Sequence, residues 1–142
     1  MTETNVVVVD TMVVSAMVNA HRDPDPARRY RQLLGGRAVV ISFATVTELR
    51  YGALKAGWGD LRRRDLERTL SHLVVVPPDD DLMHACAQLR VDCERRGSAL
   101  GAKIDEADRW IAATALHLSV DLVSDDEVFQ GIDGLKVISQ PD

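Results

Sequence analysis

The residues best placed to do chemistry in this chain are four carboxylates far apart in sequence: Asp10, Glu48, Asp108 and Asp126. No cysteine or histidine is interleaved with them, so any ligand set they form is all oxygen, which favours the hard cations Mg²⁺ and Mn²⁺ over zinc. Two carboxylates about 4 Å apart repel by roughly 4 kcal/mol at an effective dielectric near 20, so a cluster of them must hold protons or bind cations. Mg²⁺ keeps several waters and typically bridges to a phosphate, and the chemistry implied is hydrolysis of a phosphodiester. Such a metal lowers the pKa of an attacking water and neutralises charge building in the transition state.

Other chemistries lack their residues. The chain has no G-x-x-x-x-G-K-[ST] loop, no G-x-G-x-x-G and no G-x-S-x-G elbow. The histidines His21, His72, His84 and His117 are scattered over separate segments. Trp58, Trp110, Tyr30, Tyr51, Phe43 and Phe129 are too dispersed for a base-stacking platform. With 22 acidic against 17 basic side chains the net charge is -5, the wrong sign for a simple nucleic-acid sleeve. Of the basic residues 14 are Arg, clustered at Arg28, Arg29 and Arg31 and again at Arg62, Arg63, Arg64 and Arg68, so a basic face can coexist with an acidic pocket. The plainer explanation is a solvated helix face with ion pairs such as Asp60 to Arg64.

The elements that must position the acids are legible as short β-branched runs alternating with helical stretches, the pattern of parallel strands buried on both faces. Strands are expected at 6–9, 38–43, 73–76, 120–124 and 135–138. Helices are expected at 11–20, 25–34, 45–56, 60–71, 80–96 and 105–118, with Pro26 early in the second and Gly35 and Gly36 stopping it. No linker divides the chain, which reads as one α/β domain over 1–142. Cys86 and Cys93 fall on one expected helix about 10 Å apart, too far for a disulfide, and read as free thiols of a reducing compartment. No apolar run is long enough to span a membrane and the first residues lack a signal peptide's basic flank, so a cytoplasmic protein is expected.

In this scheme Asp10 ends the first strand, Glu48 lies just after the second, Asp126 follows the fourth, and Asp108 lies early in the helix before it. The carboxyl edge of an open parallel sheet is where ligands bind. Each acid also has a simpler explanation. Asp10 is placed to cap a helix, and Asp105 and Glu106 suit the positive end of a helix dipole. Glu48 could be a surface residue with Gly52 leaving space beside it, and Asp125 and Asp126 a turn or cap above Phe129. Asp108 is harder to dismiss, because Ile104, Ile111, Ala115 and Leu118 form an apolar stripe into which it is inserted. Four independent caps have no reason to converge on one edge, whereas a cation site requires it.

The runs VVVVDT, ISFATVTELRYGA, IDEADRWIAATAL and DLVSDDEVF followed by GLKVI resemble, in order and spacing over essentially the whole chain, the PIN domain and its VapC-type ribonuclease toxins. The resemblance implies a three-layer α/β/α sandwich with a mostly parallel five-stranded sheet of order 3-2-1-4-5. It further implies Mg²⁺- or Mn²⁺-dependent cleavage of RNA, a homodimer, and neutralisation by a small VapB-like antitoxin. The family's acids fall on Asp10, Glu48, Asp108 and Asp126, with Asp105 and Asp125 within reach as supplements or replacements. Thr11 and Ser124 match hydroxyl positions beside those acids. The implied ranking is Asp10 and Asp108 as direct ligands, Glu48 as ligand or water-positioning base, and Asp126 as a second-site or water-mediated ligand. Two alternatives remain: an inactive PIN-like interaction module, and a receiver-type phosphoacceptor, which would want two acids after the first strand and a lysine at the end of the fifth.

Overall fold

The computed structural model describes residues 5–102 and 105–141. Its strands are β1 (Val6–Val9), β2 (Ala38–Ser42), β3 (Val74–Val76), β4 (Asp121–Val123) and β5 (Val137–Ile138). They pair in the order β3-β2-β1-β4-β5, every pair parallel. The expected strand order is therefore the observed one, with a fully parallel sheet. The helices are α1 (Thr11–Val18), α2 (Pro24–Leu34), α3 (Phe43–Lys55), α4 (Asp60–Ser71), α5 (Asp80–Arg96) and α6 (Glu106–Leu118), with 3₁₀ turns at Ala99–Gly101 and Glu127–Phe129.

Strand alternation divides the core into two halves, because successive side chains point to opposite faces. Val8, Val40 and Leu122 face α5 and α6, meeting Leu82, Leu89, Ile111 and Phe129. Val7, Val9, Ile41 and Val123 face the other layer, meeting Val13 and Val14 of α1, Tyr30 of α2, Ala53 of α3 and Leu66 of α4. The result is three layers, α/β/α. Cys86 and Cys93 are both buried and free on α5.

Boundaries differ where capping outweighs composition. Phe43 was expected to end the second strand, but Ser42 caps α3 by accepting from the Ala44 N–H at 3.1 Å, so Phe43 opens the helix. Likewise α2 begins at Pro24 rather than beyond it, its fixed φ suiting the first helical position. Gly35 then ends α2 with φ 58°, as its place in the sequence foretold. Asp60 pairs with Arg63 at 3.1 Å rather than with Arg64. Ile104 lies outside the described residues, and Leu118, at the end of the expected apolar stripe, is 39% exposed.

Candidate active site

Asp10 is placed by the join of β1 and α1 with no intervening loop. Its Oδ1 accepts from the Val13 N–H at 3.1 Å, so the capping role is real. Its Oδ2 accepts from the hydroxyl of Ser124, the residue that follows β4. Ser124 Oγ in turn accepts from the Asp126 N–H at 3.0 Å, so one short relay ties Asp126 to Asp10. Asp10 is 5% exposed, and burial holds its carboxyl above the usual range. The Ser124 and Val13 hydrogen bonds pull it back down, and the charge of Asp126 pushes it up again.

Glu48 lies on α3, where the Thr11 hydroxyl donates to its Oε1 at 2.6 Å. Thr11 Oγ1 also lies 3.2 Å from the Oγ1 of buried Thr45; a hydroxyl has one proton to give, so Thr45 serves as donor to Thr11. A side chain at Gly52 would meet nothing within 4 Å, which leaves the space beside Glu48 open, as expected. Asp108 occupies the first turn of α6, and its carboxyl is pushed up to about 6. Burial is the largest cause, followed by the charges of Asp126, Glu48, Asp105 and Asp10. Four segments spread along the chain therefore bring their acids into one another's field. Asp105 contributes its charge to that field. Asp126 caps a 3₁₀ turn, its Oδ1 accepting from the Val128 N–H at 3.0 Å above buried Phe129.

The donor set is all carboxylate and hydroxyl oxygen, the chemistry of a hard divalent cation. Among the described residues no three His, Cys, Asp or Glu side chains stand close enough to grip an ion unaided. An ion held here would draw on one or two carboxylates, with waters completing its shell.

Two residues here were not foreseen. Arg109 is 2% exposed, and its guanidinium donates to the carbonyls of Leu100, at 3.0 Å, and Ala102, pinning the segment that leads into α6. Gly101 tightens the same segment, since a Cβ there would sit 2.8 Å from the Glu94 backbone nitrogen. The signal for Arg109 was present: three, four and seven residues on along its helix come Ala112, Ala113 and Leu116, all apolar. Tyr30 is the second, donating from its hydroxyl to Asp125 Oδ2 at 2.8 Å. Asp125 Oδ1 accepts from the Gln140 N–H at 2.8 Å, so Asp125 is held by α2 and the carboxyl-terminal segment, whereas Asp126 is the one that faces Asp108 and Asp10. Lys136 precedes β5 and approaches Asp121 at the opposite end of the strands, 4.0 Å away, which removes the lysine a receiver-type site would need. Of the second arginine cluster, Arg63 and Arg64 fall elsewhere, lining with Arg50 a groove of about 660 Å³ between α3 and α4.

A parallel β3-β2-β1-β4-β5 sheet with acids in one another's field at its carboxyl edge defines the class. The PIN domain family model matches residues 7–135, and the chain belongs to that family. Over 98 residues it is 30% identical to Ribonuclease VapC5 of Mycobacterium tuberculosis, spanning 68% of this chain and 70% of that one. Among solved structures, VapBC-1 from nontypeable Haemophilus influenzae superposes with a TM-score of 0.71 at 27% identity, covering 94% of this chain and 97% of that one. VapBC2 from Rickettsia felis, bound to a DNA fragment from its promoter, gives a TM-score of 0.77 at 22% identity over 94% and 98% of the two chains, a likeness of fold.

Proposed function

We propose that this chain is a PIN-domain endoribonuclease, the toxin of a toxin–antitoxin pair, and that Asp10, Glu48, Asp108 and Asp126 form its divalent-cation site. The observation that carries the reading is Asp108, raised to about 6 first by burial and then by the charges of Asp126, Glu48, Asp105 and Asp10, at the sheet edge where ligands bind. A bound Mg²⁺ or Mn²⁺ would supply charge neutralisation at the scissile phosphate and an activated water. The chain's own residues do the rest. Asp10 and Asp108 are the direct ligands, Asp10 oriented by Ser124 and by the Val13 N–H. Glu48, held by Thr11, positions water or ligates, and Asp126 acts through water or a second ion.

The nuclease class is supported by the family match together with the ribonuclease relative. The VapBC complexes among its structural relatives support a small VapB-like antitoxin as partner. We assign the whole of 1–142 to one domain, acting as a homodimer in the cytoplasm; no described helix is long and apolar enough to cross a membrane. The test is incubation of the purified protein with structured RNA and Mg²⁺, giving discrete cuts that EDTA and Asp10→Asn each abolish. Cleavage persisting in either control overturns the proposal.

A further inference from the structure

We propose that Tyr30 is a positioning residue for the acidic edge, anchoring Asp125 so that the next residue, Asp126, is presented toward Asp10 and Asp108. This inference rests on the ribonuclease reading above and extends it to a side chain 95 residues away from the loop it governs.

The loop after β4 gives each of three consecutive side chains its own partners. Ser124 donates to Asp10, Asp125 accepts from Tyr30 and Gln140, and Asp126 caps the following 3₁₀ turn. Two of these anchors are local or belong to the site itself. The Tyr30 anchor alone comes from the helical layer: its ring is 6% exposed and packed in the core with Val7, Val9 and Val13. A rigid core group thus fixes an otherwise exposed loop residue through a 2.8 Å hydrogen bond. Both Asp125 oxygens are occupied, one by the phenol and one by the Gln140 N–H, so this carboxylate is engaged away from the edge and adds no fifth competitor there. Outer partners that fix the orientation of metal-binding groups commonly change metal affinity 10- to 100-fold when removed.

Tyr30→Phe keeps the ring and removes only the hydroxyl. Mg²⁺ and Mn²⁺ affinity is read without RNA, from the metal-induced rise in melting temperature, and the variant is expected to bind about 10-fold more weakly. In cleavage, kcat falls at limiting Mg²⁺ and recovers at saturating Mg²⁺, while KM for RNA is unchanged. Asp125→Ala, at an exposed position, loses at least as much because it also releases the Gln140 N–H, and adding Tyr30→Phe to it makes it no worse, because the phenol then has no carboxylate left to anchor. Wild-type metal response in Tyr30→Phe, or losses that multiply in the double variant, overturns the role of Tyr30 alone. A wild-type chain with no metal response and no metal-dependent cleavage overturns the underlying nuclease reading, and this inference with it.

Discussion

Asp10 and Asp108 are both drawn into the protein at the same edge and burial raises both carboxyls, yet only the first is given hydrogen bonds that oppose the rise. Around Asp10, burial keeps the carboxyl raised and the charge of Asp126 adds to it, while the Ser124 hydroxyl and backbone N–H groups draw it back. Around Asp108, burial and the charges of Asp126, Glu48, Asp105 and Asp10 all push in one direction. One acid is built in and the other is left in deficit. A site designed to take up a cation needs both kinds: a fixed ligand to define the position, and an unsatisfied one whose relief supplies binding energy.

That contrast can be broken by substitution. Under the proposed assignment Asp10→Asn and Asp108→Asn should each reduce metal-dependent RNA cleavage by at least about 100-fold, since direct ligands matter more than the outer partners that orient them. On the metal-free fold, Asp108→Asn and Asp10→Ala should differ in sign. Asp108→Asn relieves repulsion and should raise the melting temperature by several degrees, the usual exchange of function for stability. Asp10→Ala removes a cap and strands a buried hydroxyl, costing about 1–2 kcal/mol and lowering it. Shifts of the same sign in thermal melts would erase the distinction.

A smaller effect is expected on the pH axis. Folding disfavours the ionised form of a carboxyl raised from 3.8 to about 6, so its contribution to stability is full below 3.8 and is lost as pH rises through about 6. Denaturant melts of metal-free protein should show roughly 2 kcal/mol lost over that window, less in Asp108→Asn and restored by Mg²⁺. A flat profile in the wild type would mean that neither burial nor the neighbouring acids raise Asp108. Smallest of all, Thr11→Val should leave stability within about 1 kcal/mol while freeing Glu48, detectable as a weaker Mg²⁺ dependence of melting; no change there would place Glu48 outside the site.

Most of the framework could be read from the chain because its signals are local. Runs such as Val6 to Val9 and the glycine after Leu34 act within a few residues, and the strand order accompanied the family resemblance. Errors fell at junctions such as Ser42, where one side chain's hydrogen bond to a neighbouring N–H outweighs the β preference of the run it ends. Which of Asp125 and Asp126 faces the other acids was illegible for a different reason. The deciding contact is with Tyr30, and nothing in the sequence near either residue encodes it. Arg109 went unremarked, although its apolar neighbours on the same face marked it as buried.

The direct passage of β1 into α1 and of β2 into α3 means that the acids' geometry depends on chain length as well as on residue identity. One residue inserted between Ser42 and Glu48 would swing Glu48 about 100° around its helix, away from its threonine and its fellow acids. Drift in this lineage should therefore exchange residue for residue along these two stretches, while gaps and additions accumulate at the connection between α3 and α4, where nothing catalytic is counted off from the sheet.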